Sequence, residues 1–247
     1  MTRRAVASIE ARFGSSRLPG KVLMDVGGKS ALSRLLARLR TCKRLDDIVL
    51  ATTSSTADDQ LAAWAKSEGV RCFRGSEEDV LARVVGAQRS AGSDLVVEVT
   101  GDCTLLDPGT IDQGIETFLA NEVDVITNCR VPSYPQGADV QVFPLSLLEE
   151  VERTISDPPV REHVSLYFYE HPEKYRVMHL IAPPRWQAPE QRLQLDYEQD
   201  LQFIRTVYER LEPVHGPTFG LEEIMALLKR EPALAAINRD CVEKPTR

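Results

Sequence analysis

The chain has 247 residues, with 30 Lys and Arg against 37 Asp and Glu for a formal net charge of −7, and 43% of its residues are apolar. That is the composition of an ordinary globular protein; it excludes a general nucleic-acid binder, which needs a broad positive field, and no apolar run approaches the ~18–20 residues that span a bilayer. Five scattered cysteines without a Cys-x-x-Cys pair, four histidines without a His-x-x-x-His pair, and an N-terminus lacking a signal-peptide apolar core argue against a disulfide framework, a zinc site and secretion, and for a cytoplasmic protein.

Charge is unevenly spread. The first 44 residues hold eleven Lys and Arg against only Glu10 and Asp25, so the remaining 203 carry a net −16. A local site for a small anion near the N-terminus is the natural reading.

In chain order, short β-rich apolar runs at residues 5–9, 48–52, 70–73, 95–99 and 123–127 alternate with helix-period segments at 30–41, 57–68, 77–90 and 109–120. In the first helix Leu32, Leu35, Leu36 and Leu39 form one stripe behind Ser30 as N-cap. Glu77, Glu78 and Asp79 follow Ser76 in the first turn of the third, where the helix dipole favours negative charge. The βα rhythm predicts a mostly parallel, twisted sheet with helices on both faces, a three-layer αβα fold of Rossmann-like kind. Residues 128–137, with two prolines and a glycine, predict an irregular loop. A strand at 140–143 and a short helix carrying Leu145, Leu148 and Val151 follow. Asp157-Pro158-Pro159 predicts a break and 161–170 a helix. Strands are then expected at 175–181 and 192–195, a helix at 198–211, and a helical C-terminus. No repeat or linker divides the chain, so 1–247 reads as one domain: a core at 1–127 with elaborations at 128–247.

The loop after the first strand is the most informative segment, because in an open α/β sheet it opens onto the carboxyl edge, where ligands bind. Gly14, Ser15 and Ser16 let the backbone turn and aim N–H groups at one point, and Arg12, Arg17 and Lys21 surround that point with cations. This is a triphosphate cradle or, on the plainer reading, a solvated basic turn. It is not a Walker A loop: five residues separate Gly14 from Gly20, and Val22 follows Lys21. The dinucleotide G-x-G-x-x-G pattern is absent as well. The other early cations decorate the first helix and its end, where Lys43 and Arg44 suit the dipole. Asp102 follows the strand at 95–99 and also falls at the carboxyl edge, as a turn or capping residue or as a ligand.

The segment ARFGSSRLPGK at residues 11–21 resembles the signature of the CMP-sugar synthetases, the cytidylyltransferases that activate Kdo and sialic acid. The whole chain is most similar to the branch labelled spore-coat polysaccharide biosynthesis cytidylyltransferase-like, through further blocks at 73–83 (FRGSEEDVLAR), 101–108 (GDCTLLDP), 134–143 (YPQGADVQVF), 161–164 (REHV) and 195–201 (LDYEQDL). The resemblance implies a nucleotide-diphospho-sugar transferase-like fold, a homodimer, and transfer of CMP from CTP to a small anionic acceptor (an acidic sugar, sugar phosphate or phosphonate) with release of pyrophosphate. It implies that Arg12, Lys21 and Asp102 act in catalysis, and that Ala11, Arg12, Gly14, Ser15, Arg17, Lys21 and Arg83 bind the nucleotide. Asp102 and Asp196 would hold Mg²⁺, which takes one or two carboxylates plus phosphate and water. Tyr134, Asp139, Arg161, Glu162 and His163 would bind the acceptor, with residues 128–247 supplying acceptor and dimer contacts. Several alternatives accompany these roles. Arg83 also suits an i, i+4 pair with Asp79, Arg161 and His163 suit first-turn positions of the 161–170 helix, and Asp200 reads as a first-turn charge. Thr104, Gln136, Ala138 and Gln141 depart from the family pattern, and most of these departures fall in the acceptor blocks. Two competing functions are a glycosyltransferase of related fold, which commonly uses an Asp-x-Asp motif that this chain lacks, and a catalytically silent nucleotide-binding subunit.

Overall fold

The computed structural model describes residues 3–242. Seven strands form one sheet in the order β3-β2-β1-β4-β6-β5-β7. They are β1 (Ala5–Glu10), β2 (Asp47–Thr53), β3 (Arg71–Gly75), β4 (Leu95–Thr100), β5 (Val125–Thr127), β6 (Gln141–Pro144) and β7 (Val177–His179). β6 alone runs antiparallel to its neighbours β4 and β5. The predicted α/β class and mostly parallel sheet are therefore present.

Helices α1 (Ala31–Leu39), α2 (Asp59–Glu68), α4 (Pro108–Ala120), α8 (Glu198–His215) and α9 (Leu221–Arg230) cover one face. Their apolar stripes, Leu32, Leu35 and Leu39 among them, pack on Ala7, Ile9, Val97 and Val99. Helices α3 (Val80–Ser90), α5 (Leu145–Thr154), α6 (Pro158–Glu162) and α7 (Leu166–Glu170) cover the other, burying Val84, Leu148 and Phe168 against Val6, Val49 and Val96. Ser30 caps α1 through the Ser33 amide as expected.

Four expectations are corrected. The strand expected at 192–195 is a single bridge between Gln136 and Arg192; this backbone is tied instead to the turn after β4, Leu195 N donating to Asp102 O at 3.0 Å. The helix expected at 161–170 is two short helices broken at His163. Pro158 and Pro159 start α6 rather than break the chain, since proline costs little in a first turn whose amides have no helical partner. Nor do the early cations all decorate the surface. Arg34 and Arg38 are buried: Arg34 grips Glu212 of α8 at 2.5 and 2.9 Å and stacks 4.4 Å from the Tyr208 ring centroid, while Arg38 donates to the Tyr208 hydroxyl and the Phe219 carbonyl.

Asp107 joins two helices of this layer, accepting from Thr110 N of α4 at 2.9 Å and from Leu221 N of α9 at 2.8 Å. Asp107→Ala leaves two buried amides unpaired, so the unfolding free energy from urea melts is expected to fall by about 2–3 kcal/mol.

Candidate active site

The β1 loop is folded on itself by its own backbone. Phe13 O accepts from both Ser15 N and Gly20 N at 2.9 Å, and Phe13 N donates to buried Asp58 at 2.6 Å. Gly20 adopts φ +72, and a side chain there would meet the Phe13 ring at 2.7 Å. The turn that follows, Lys21–Leu23, directs Lys21 across the carboxyl edge toward the loop after β4. Gly101 permits that approach: its amide donates to Glu10 O at 2.9 Å, and a Cβ would lie 3.0 Å from both that oxygen and the Ala11 side chain.

Lys21 Nζ bridges Asp102 Oδ2 at 2.5 Å and Asp196 Oδ1 at 2.8 Å. Arg17 donates to the same Asp196 oxygen at 2.7 Å and stacks 5.1 Å from the Tyr197 ring centroid. The Asp196 side chain is 1% exposed, against 12% for Lys21 and 14% for Asp102. Burial on its own would raise the Asp102 carboxyl and lower the Lys21 ammonium. The attraction between them outweighs it, holding Asp102 below and Lys21 above their ordinary values. Both stay charged.

Behind Asp196 stands an arginine that is not among the residues expected from the sequence. Arg192 donates to Asp196 Oδ2 and, at 3.0 and 3.1 Å, to both oxygens of Asp200. Asp200 in turn accepts from Asp196 N, Tyr197 N and Asn238 Nδ2 at 2.9, 3.0 and 2.8 Å. Asp200 is thus a first-turn residue of α8, as expected, and also the anchor of the Asp196 segment. The Arg192–Asp196–Asp200 spacing of four is the signal in the sequence that could have found it.

The remaining expected site residues are more dispersed. Arg12 lies at the exposed loop margin, 3.5 Å from Glu77. Arg83 wraps the preceding turn, donating to the carbonyls of Ser76 and Glu77. It does not pair with Asp79, which caps α3 through Ala82 N and takes Arg161 instead. Arg161 also donates to the Glu152 and Ile155 carbonyls, a position that ties α6 to α3 and α5. Glu162 is exposed, and His163 forms the break after α6. Tyr134 packs in the opposite layer, 6.5 Å from the Trp186 ring centroid. The structure therefore gathers Arg17, Lys21, Asp102 and Asp196, and leaves Tyr134 on one side of the sheet and Arg161, Glu162 and His163 on the other.

A second polar cluster adds to these. Glu98 on β4 pairs in register with Ser8, and Thr100 with Glu10, so both glutamates face the α3 side. Burial, opposed by a hydrogen bond with Ser165 and reinforced by Asp139, pushes Glu98 up to about 7. Burial and the neighbouring Glu98 raise Glu10 well above the usual carboxylate range. Its signal in the sequence is a carboxylate interrupting an apolar strand two residues from its end. A raised folded-state value means that the folded protein keeps a proton the unfolded chain loses from about pH 4.3 upward, so stability falls as pH rises from there to about 7. Glu98→Gln removes the part of this dependence that Glu98 contributes; in urea melts across pH 4.5–8 its stability relative to the parent is expected to grow with pH by about 3 kcal/mol.

Among the described residues no group of three or more His, Cys, Asp and Glu forms a metal centre. Two carboxylates already brought together on one ammonium cation are, however, a donor set that suits Mg²⁺, whose other ligands are phosphate oxygens and waters.

A mostly parallel sheet with cations, carboxylates and a folded glycine loop at its carboxyl edge is the architecture of the α/β nucleotidyltransferases, and the comparisons place the chain among them. The chain belongs to the cytidylyltransferase family, whose sequence model matches residues 6–231. It is 35% identical over 232 residues to the spore coat polysaccharide biosynthesis protein SpsF of Bacillus subtilis, covering 92% of this chain and 95% of that one. It is 27% identical over 250 residues to the 3-deoxy-manno-octulosonate cytidylyltransferase of Solibacter usitatus, covering 93% and 96%. A solved cytidylyltransferase from Leptospira borgpetersenii, 28% identical, superposes with a TM-score of 0.89 over 99% of this chain and 100% of its own. Among the described residues no helix is long and apolar enough to cross a membrane.

Proposed function

We propose that this protein is a Mg²⁺-dependent cytidylyltransferase that transfers CMP from CTP to an anionic acceptor, an acidic sugar, sugar phosphate or phosphonate, acting in the cytoplasm as a homodimer in the synthesis of a cell-surface polysaccharide. The observation that carries this reading is the Lys21 ammonium lodged between Asp102 and Asp196, at the mouth of a loop built to hold phosphate. The polysaccharide context and the acidic-sugar acceptor rest on the relatives.

An acceptor oxygen attacks the α-phosphorus in line, the bond from that phosphorus to the bridging oxygen breaks, and pyrophosphate leaves with the electron pair. Such chemistry is mostly positioning and charge neutralisation. The loop through Gly14 and Ser15, with Arg12, Arg17 and Lys21, binds the β- and γ-phosphates and compensates the charge that builds on the leaving group; Ala11 and Arg83 complete the nucleotide side. Asp102 and Asp196 would hold Mg²⁺, which supplies further charge neutralisation and polarises the attacking oxygen. Arg192 and Asp200 orient Asp196 from behind. Asp139, whose charge helps raise the thiol of Cys103 beside Asp102, belongs to the acceptor side. Tyr134, Arg161, Glu162 and His163 reach the acceptor only where it extends beyond the cleft, or act by shaping its walls.

Pyrophosphate release with each of the four nucleoside triphosphates, against a panel including 3-deoxy-manno-octulosonate, sialic acid and sugar phosphates, tests the proposal. CTP-specific turnover supports it. Turnover of a nucleotide sugar, or no CTP binding in the presence of Mg²⁺, overturns it.

A further inference from the structure

The transfer chemistry leaves the end of the chain without a role. Past residue 231, where the match to the family model ends, a short helix at Pro232–Ala236 packs against α8 and α9. Pro232 opens its first turn, where a missing amide costs little. Leu234 joins the core of that layer and Ile237 packs against it. The next residue, Asn238, reaches the active site.

Asn238 is 1% exposed. Its carboxamide nitrogen donates twice, to Asp200 Oδ1 at 2.8 Å and to the Arg192 carbonyl at 3.1 Å. Both acceptors belong to the support of Asp196. Asp200 takes the Asp196 and Tyr197 amides on its other oxygen, and the Arg192 guanidinium holds Asp196 Oδ2. The carbonyl oxygen of Asn238 has no partner among the described residues. A buried carboxamide with one end unpaired adds little to stability; what it supplies is a fixed place for Asp200 and for the backbone at Arg192.

The same segment makes a second contact four residues on. Val242 O accepts from the Tyr197 hydroxyl at 3.1 Å, and Arg17 Nη1 lies 3.5 Å from it. Cys241 N donates to Asn238 O at 3.1 Å, closing the turn between the two contacts. The chain end thus grips the Asp196 segment at two points. An aspartate that must exchange an ammonium for a metal ion keeps its aim only if the structure behind it is fixed.

We propose that Asn238 is a positioning residue of the active site, presented by the chain end: through Asp200 and the Arg192 backbone it fixes the Asp196 carboxylate for metal binding. The Val242 contact with Tyr197 holds the segment that carries it. This rests on the cytidylyltransferase reading and adds to the site a part of the chain outside the family match.

The test is the gain in CTP affinity that a metal brings, from calorimetry on the full chain with Mn²⁺ and with EDTA, without acceptor. Asn238→Leu is close in size and removes both donors together with the unpaired oxygen. Each acceptor keeps another donor, Arg192 Nε for Asp200 and Gln191 Nε2 for the Arg192 carbonyl, so the variant is expected to fold. Its Mn²⁺-dependent gain is expected to shrink about tenfold, the lower end of the usual loss for a group behind a metal ligand, with CTP affinity in EDTA matching the parent. Asn238→Ala removes the same donors without adding bulk and is expected to behave alike. A gain equal to the parent's in either variant overturns the proposal. So does an equal fall in Mn²⁺ and in EDTA, which would mark a general disturbance of the site. The parent separates the two layers: if it fails to bind CTP with Mn²⁺, the functional reading falls; if it binds and the variants keep its gain, only the role of Asn238 falls.

Discussion

Lys21→Met is expected to lower kcat/KM for CTP by about 10³-fold or more, equivalent to roughly 4 kcal/mol of transition-state stabilisation. Among the described residues Lys21 is the sole cation paired with Asp102 and one of three paired with Asp196. Its ammonium is largely shielded and held by two carboxylates, so the cost of orienting it is met in folding rather than during reaction. Lys21→Arg is expected to be nearly as inactive. The bridge at 2.5 and 2.8 Å needs a compact point charge, and a planar guanidinium places its donors differently. The same variant has a second signature that does not depend on turnover. With Lys21, Arg17 and Arg192 facing Asp102, Asp196 and Asp200, the resting site is close to neutral, and a divalent ion entering without a triphosphate would displace Lys21. Lys21→Met leaves Asp102 without that partner. Titration of Mn²⁺ followed by electron spin resonance is therefore expected to show nucleotide-free binding in the variant and little in the parent. An active Lys21→Met enzyme, or identical Mn²⁺ isotherms, would refute this account of the bridge.

How much of this is legible in the sequence depends on what each residue has to do. The βα half declares itself because Leu32, Leu35 and Leu39 keep helical period and the strands are short apolar runs between turn signals. Lys21 and Asp102 fall at one edge on sequence grounds alone, because both follow parallel strands and parallel strands share a carboxyl edge. Beyond residue 127 local pattern finds β6, α5 and α8 but loses its hold between α5 and α8. The alternation in Arg192-Leu193-Gln194-Leu195 reads as a strand, yet Leu193 and Leu195 are buried to anchor a non-strand segment that delivers Asp196. Pro158 and Pro159 punctuate in either direction, and only the packing of Val160 against the α3 layer decides that a helix starts there. Arg34 and Arg38 escape the pattern because charge predicts surface, whereas a guanidinium can be buried when it stacks on an aromatic ring and places its donors on carboxylates and carbonyls. Glu98 shows in the sequence only as a carboxylate interrupting an apolar strand, and its significance comes from neighbours contributed by β6, α7 and the loop between β5 and β6. The N-terminal charge surplus divides into a loop that meets the carboxylates and a pair of arginines that lock α1 to α8.

That distinction between placing a charge and supporting it gives the last prediction. Arg192 is 3% exposed and lies between Asp196 and Asp200, which are 1% and 0% exposed. Arg192→Met leaves Asp196 with Lys21 and Arg17 but strips Asp200 of the one cation paired with it among the described residues, and breaking such a buried pair costs about 3–5 kcal/mol. Activity is expected to fall by about 10–100-fold, the usual penalty for losing a group that orients a metal-binding carboxylate. The double variant Arg192→Met/Asp200→Asn separates the two effects. With no ion left uncompensated at position 200, much of the lost stability should return, because the introduced carboxamide can still accept from the Asp196 and Tyr197 amides through its carbonyl oxygen. Activity should not return, because nothing then holds Asp196 Oδ2. Urea melts and kcat/KM measured on the parent, both single variants and the double variant close the cycle. Recovery of stability and activity together would mean that Arg192 serves only to neutralise Asp200. Recovery of stability alone assigns Arg192 the positioning of Asp196.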